Sequence, residues 1–257
     1  MMLRLAILAL LGSFASACRT PIADPGPGPG RYEYHVQDEQ AGVQLPFVLV
    51  IPDGPTPTDG WPMLMFLHGS GERGTDVRQL EIHGPLKLLD AIPELRECVL
   101  VVPQCPERMW WESQWLLPLF DEIQNFARVD DARLYVTGLS MGGYATWGLL
   151  ASAPDRIAAA VPICGGGEVG RLWPERDTGF RMENLLAARH VPIRAFHGEA
   201  DDTIPMQESV LLVDALHAAG SSAQLTTYPG VGHDSWTRTY ADPELYRWLF
   251  AQRRSDD

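Results

Sequence analysis

Residues 134–143 read LYVTGLSMGG and run into YATWGLLAS. A short β-rich run, Leu134–Gly138, ends in Gly138-Leu139-Ser140-Met141-Gly142, and an apolar helical pattern over Met141–Ala153 begins at once. The pattern G-x-S-x-G carries chemistry only where a strand turns sharply into a helix, which is the setting found here. The glycines let neighbouring backbones approach closely, and the turn lifts the serine hydroxyl clear of the sheet. Ser140 is therefore the candidate nucleophile.

Working outward, Tyr32–Val36 and Leu45–Ile51 predict an antiparallel start. Short apolar runs at Met63–His68, Val99–Pro103, Ala158–Ile163, Ile193–His197 and Gln224–Tyr228 predict buried parallel strands. Helical patterns fall between or after them, at Leu116–Phe126, Met206–Ala219 and Asp242–Arg253. This alternation predicts an α/β fold, a mostly parallel sheet with helices on both faces. In such sheets the loops at the carboxyl ends of the strands hold the chemistry. The sequence has no internal repeat and no second domain boundary.

A serine hydroxyl needs a base within hydrogen-bond reach. His35, His190 and His217 carry no motif, whereas His233 lies in Gly230-Val231-Gly232-His233-Asp234, just after the last strand. Its acid partner should stand between Ser140 and His233, and the turn after Ile193–His197 offers Glu199, Asp201 and Asp202. Spacing alone does not choose among these three. Two amides must face a developing oxyanion, one following the nucleophile and one from an early loop. They fall on the backbone of Met141 and of Ser70, the latter in HGSGERG at residues 68–74. Gly69, Gly71 and Gly74 also match the dinucleotide pattern G-x-G-x-x-G. The polar stretch Thr75–Gly84 lacks the periodicity of the packed helix that pattern requires, so no nucleotide is expected.

Trp110, Trp111 and Trp115 cluster after the strand ending in Pro103-Gln104-Cys105-Pro106. They are candidates for a substrate wall, with core packing as the alternative. Cys105 and Cys164 follow strands at the same sheet edge and are a candidate disulfide in an exported protein, with free buried thiols as the alternative. His68 and His83 have no further ligands at metal-binding spacing, so neither a metal nor a cofactor is expected.

The 257 residues are 46% apolar and 21% charged, with a net charge of −13 and one lysine, Lys87. That acidic balance argues against nucleic acid and against docking on anionic lipid by charge. Residues 1–17 read as a signal peptide, with Arg4, the apolar run Leu5–Leu11 and the small triplet Ala15-Ser16-Ala17. Cys18 follows directly, and this junction resembles the lipobox of bacterial lipoproteins, which implies acylation of Cys18; simple cleavage and a soluble exported protein is the alternative. Residues 18–30 form the cysteine plus a Pro/Gly-rich linker, and residues 31–257 the catalytic domain.

The segments FLHGSGERG, VVPQCP, GLSMGGYATW, VPICGGG, HGEADDTIP and GHDSW occur in this order. Together they resemble α/β-hydrolases of the phospholipase/carboxylesterase group. More narrowly they are similar to bacterial exported esterases labelled predicted peptidases, relatives of dienelactone hydrolases. The resemblance covers Tyr32 to the C-terminus. It implies an α/β-hydrolase fold, Ser140 as nucleophile, Asp201 as acid, His233 as base and an oxyanion donor near Ser70. It also implies hydrolysis of a small-molecule or polysaccharide carboxylic ester through an acyl-enzyme, without a cofactor. The competing expectations are a small serine peptidase of the same fold and an inactive binding module. The expected location is periplasmic or on the cell envelope, with membrane contact only through Cys18. If Cys18 is acylated, Cys18→Ser should move the protein from the membrane to the soluble fraction of a bacterial host and abolish incorporation of labelled fatty acid.

Overall fold

Side chains alternate along the strand Trp61–Leu67. Met63, Met65 and Leu67 enter one buried cluster, and Leu64 and Phe66 enter another on the opposite side. A strand apolar on both faces must lie inside a sheet covered on both faces. The structure, a computed structural model, describes residues 28–38 and 43–254. The signal peptide, Cys18 and most of the linker fall outside the described residues.

Eight strands form one sheet: β1 (Gly30–Asp38), β2 (Val43–Ile51), β3 (Trp61–Leu67), β4 (Val99–Pro103), β5 (Val129–Leu139), β6 (Ala159–Ile163), β7 (Arg194–Gly198) and β8 (Gln224–Tyr228). Their order is β1-β2-β4-β3-β5-β6-β7-β8. β2 runs against both its neighbours, and β3 to β8 are mutually parallel. The helices are α1 (Gly84–Lys87), α2 (Ser113–Ala127), α3 (Met141–Ser152), α4 (Met182–Leu185), α5 (Gln207–Ala218), α6 (Trp236–Tyr240) and α7 (Pro243–Phe250). Phe120, Trp147, Leu185 and Leu212 bring α2 to α5 onto one face of the sheet, while Leu86, Tyr240 and Leu245 bring α1, α6 and α7 onto the other.

The expected elements are present, most of them with shifted ends. α2 starts at Ser113 rather than Leu116, because it opens on the polar pair Ser113-Gln114, which carries no apolar signal. α7 stops at Phe250, where the apolar face ends, and not at Arg253. β5 begins at Val129, ahead of the charged pair Asp130-Asp131, since Val129 pairs with Trp61. The glycine loop opens a 3-10 turn, Ser70–Glu72, and a second one spans Val77–Glu81. No long helix follows whose N-terminus could cradle a pyrophosphate. Cys98, Cys105 and Cys164 are free and buried, so the candidate Cys105–Cys164 disulfide is not formed. Burial pushes the Cys105 and Cys164 thiols up to about 12, which keeps them protonated.

α3 is seated on the sheet by backbone contact. A Cβ at Gly142 would lie 1.8 Å from the Leu67 oxygen and 2.8 Å from that of His68, and a Cβ at Gly143 would lie 2.5 Å from the Ile163 oxygen. These neighbours are strand backbone and cannot yield as a side chain could. Gly142→Ala should therefore lower the melting temperature by about 10 °C, or abolish folding, at roughly 2–4 °C per kcal/mol for a chain of this size. Gly71→Ala meets nothing within 4 Å and should leave the melting temperature unchanged; thermal unfolding of both variants checks the pair.

Candidate active site

Ser140 joins β5 to α3 with φ 52° and ψ −115°. A positive φ is costly for a residue with a Cβ, and such strain is held only where the surroundings over-determine it. Here the Ser140 amide donates to the Ile163 oxygen at 2.9 Å, and the Ser140 oxygen accepts from Tyr144 at 3.1 Å. The hydroxyl is thereby presented at the carboxyl edge of the sheet.

Two further loops meet it there. His233 Nε2 lies 2.9 Å from Ser140 Oγ, and His233 Nδ1 lies 2.7 Å from Asp201 Oδ2. Of the three candidate acids, Asp201 alone meets His233. Asp202 is exposed, and exposed Glu199 accepts from Thr227 Oγ1 instead. Asp201 Oδ1 accepts from the amides of Thr203 and Ile204, each at 2.9 Å. Burial acts to raise the Asp201 pKa, but hydrogen bonds from His197, His233 and the Ile204 amide outweigh it and hold the carboxyl well below the usual carboxylate range. Asp201 is thus an anion whose side chain is fully buried behind an imidazole that is 21% exposed.

The two candidate oxyanion donors come from first positions of helical turns, Ser70 in its 3-10 turn and Met141 in α3. Amides at such positions have no carbonyl partner within the turn and are free to face an anion. The Ser70 loop is tied down from below. His68 Nδ1–H donates to the Gly69 oxygen at 2.5 Å, and His68 Nε2 accepts the Cys105 amide at 2.9 Å. Arg73 Nε donates to the Ser70 oxygen at 2.8 Å, and Arg73 Nη1 donates to the Met109 oxygen at 3.1 Å. The sequence alone assigns no supporting role to His68 or His197. Each directly precedes a glycine at a strand end, and that His-Gly pairing was the available signal. His197 braces Asp201: Nε2–H donates to the Ile204 oxygen at 2.9 Å and stands 3.2 Å from Asp201 Oδ2, while Nδ1 meets Ser209 Oγ at 2.8 Å.

An open cavity of about 350 Å³ contains Ser140, His233, Ser70 and Met141, walled by Trp110 and Trp173. Trp110 and Trp173 are 5.2 Å apart, and the Arg176 guanidinium stands 6.0 Å over the Trp110 ring. The three tryptophans of the cluster therefore part ways. Trp110 lines the cavity. Trp111, expected to do the same, does not: it is 3% exposed and donates its Nε1–H to the His68 oxygen at 3.1 Å. Trp115 is buried in the core. A larger groove of about 750 Å³, beside Phe196, Tyr228 and Arg238, contains none of these site residues. Among the described residues no cluster of three metal-ligating side chains occurs, and no helix is long and apolar enough to cross a membrane.

Residues 113–244 match the dienelactone hydrolase family, and the chain belongs to that family. A solved thermostable esterase is 30% identical, with a TM-score of 0.72 over 87% of this chain and 63% of its own. A putative carboxymethylenebutenolidase of Escherichia coli strain K12 is 26% identical over 81% of this chain and 74% of its own. The bifunctional acetylxylan esterase/xylanase XynS20E of Neocallimastix patriciarum is 25% identical over 73% of this chain, which spans about a quarter (26%) of that relative. The eight-stranded sheet with its single reversed strand is thus an α/β-hydrolase fold.

Burial lowers the His68 pKa from 6.5 to about 4, so the folded protein holds this ring neutral. Between those pH values the unfolded chain binds a proton that the folded one excludes, so stability is full above about pH 6.5 and falls as the pH drops towards 4. The loss is on the order of 3 kcal/mol at about 1.4 kcal/mol per unit. Urea unfolding across this range should show it, and His68→Gln should flatten the slope while lowering stability at pH 7.

Proposed function

We propose that this chain is a serine esterase that cleaves carboxylic esters through an acyl-enzyme on Ser140. The observation that carries the proposal is the unbroken Ser140–His233–Asp201 chain of contacts at 2.9 and 2.7 Å, opening on a cavity with two candidate oxyanion amides. In this reading His233 takes the Ser140 proton as Oγ attacks the ester carbonyl, and the oxygen gains negative charge facing the amides of Ser70 and Met141. The imidazolium then gives its proton to the departing alcohol. Water, deprotonated by the same imidazole, releases the acid and restores the serine. Asp201 stays ionised throughout, orienting His233 and stabilising its cation. The kinship with proteins named as esterases supports an ester rather than an amide substrate.

The substrate in this reading is a small-molecule or polysaccharide ester that stacks its planar or ring portion against Trp110 and Trp173. Export is part of the same proposal. It is supported by the leader-like residues 1–17 and by a 24% identical relative, an uncharacterized secreted protein of Arthroderma benhamiae.

A fluorophosphonate followed by peptide mass mapping tests the nucleophile. The adduct should fall on Ser140, vanish in Ser140→Ala and form far more slowly in His233→Ala. Turnover of p-nitrophenyl esters should drop by about 10⁴–10⁶-fold in either variant. A folded protein that takes no adduct would be a binding module, and faster cleavage of aminoacyl-amides than of esters would make it a peptidase.

A further inference from the structure

Glu72, His83 and Trp236 stand beside the site and have no part in the steps above. Glu72 belongs to the same 3-10 turn as Ser70 and is 7% exposed, and its Oε2 has no hydrogen-bond partner. A buried carboxyl left in that state is costly, and burial pushes its pKa up. Its Oε1 lies 3.8 Å from His83 Nε2, close enough for charge to act although too far for a hydrogen bond. On the other side of the ring, Trp236 Nε1–H donates to His83 Nδ1 at 3.3 Å. Trp236 in turn meets His233 edge-to-face, with ring centres 5.3 Å apart and planes at 85°.

These contacts form a row, Glu72–His83–Trp236–His233. They approach the imidazole by a route that does not involve Asp201. The row has a direction. Because Nδ1 of His83 accepts the indole N–H, a neutral His83 carries its proton on Nε2, facing the Glu72 carboxyl. That carboxyl favours the proton there and so keeps Nδ1 free as an acceptor. The backbone leaves His83 little freedom, because the next residue, Gly84, has φ 78° and a Cβ there would lie 2.3 Å from the Phe66 ring. Trp236 is the first residue of α6, three residues beyond His233, so a turn of its indole is felt directly by the imidazole. One hydrogen bond to Asp201 fixes the imidazole at Nδ1 but leaves it able to rock about that bond, and a ring packed against it removes this motion.

We propose that His83, with its tautomer set by Glu72, is a positioning residue for His233 and acts through the indole of Trp236. Its consequence for turnover rests on the serine-esterase reading, but the ring contact itself does not. The expected effects are the size of losing one neutral hydrogen bond or one aromatic pair. His83→Leu and Trp236→Phe should each lower kcat about three- to tenfold for p-nitrophenyl acetate, with KM nearly unchanged. The double variant should be no slower than the worse single one, because both break the same chain. Glu72→Gln should give a smaller loss. His83→Asn, whose amide oxygen replaces the Nδ1 acceptor, should restore most of the activity, a rescue that a merely space-filling role would not produce.

A second readout needs no turnover. In proton NMR of the full chain, the His233 Cε1–H resonance should move in His83→Leu in the same direction as in Trp236→Phe, and the Trp236 indole N–H should lose its hydrogen-bonded downfield position. Thermal melts select variants that remain folded, and His83→Gln replaces His83→Leu if the latter does not. Multiplicative losses in the double variant, or a His233 resonance unmoved by His83→Leu, would overturn the proposal. If the wild-type chain takes no fluorophosphonate, the esterase reading fails by itself, and the His233 resonance alone then decides whether the row positions that ring.

Discussion

Backbone laid directly on backbone is the constraint from which the rest of the site follows. At the turn after β5 nothing larger than hydrogen fits on Gly142 or Gly143, because the ends of β3 and β6 press against the start of α3. That contact holds Ser140 at its positive φ and fixes its hydroxyl relative to His68, whose carbonyl Gly142 touches and whose ring supports the Ser70 loop. The same device recurs across the sheet edge. A Cβ at Gly198 would lie 2.2 Å from the Gly232 oxygen, so the turn carrying Asp201 and the loop carrying His233 are pressed together without a side chain between them. Ser140, His233 and Asp201 are thus registered to one another by main chain.

Electrostatics adds a second layer to this frame. The protein is strongly acidic overall, yet the one fully buried carboxylate of the site is surrounded by donors: two imidazoles and two amides converge on Asp201. Neutral His68 is the opposite case beneath the Ser70 loop, where burial outweighs the Glu72 carboxyl 3.8 Å from its Nδ1. Desolvation is adverse to both groups. It is outweighed at Asp201 by hydrogen bonds and is avoided at His68 by shedding the proton.

The sheet was readable because its strands are continuous apolar runs and its helices are periodic. Val99–Pro103 and Gln224–Tyr228 keep their expected bounds, and two displaced starts lie where polar residues, Ser113 and Asp130, continue an element without an apolar signal. Ser140 and His233 announce themselves through glycine-rich turns at strand ends. Asp201 does not stand out from Glu199 and Asp202 by spacing, since the distinction depends on which carboxyl turns inward over a bend of four residues. Trp110 and Trp111 were equally indistinct. Adjacent residues in an irregular loop have no fixed periodicity, so sequence gives no rule for which ring faces the cavity. His68, His83 and His197 gain their roles from partners far along the chain, such as Cys105 and Trp236, which only the folded topology brings near.

Tyr144, Val169 and Ile204, with Trp110, Leu172 and Trp173 packed on them, form a small apolar cluster that Trp110 joins to the larger of the two cores. The cavity's aromatic wall belongs to this outlying cluster, whereas Ser140, His233 and Asp201 are set mainly by main chain. The two meet at the backbone of Tyr144 and Ile204, whose amides donate to the Ser140 oxygen and to Asp201. Gly165 is pressed on Gly143 and Phe180 lies in the larger core, whereas Trp173 is carried between them on residues 168–179, so a lineage built on this frame can vary that stretch and change what it consumes while keeping the turn at Ser140.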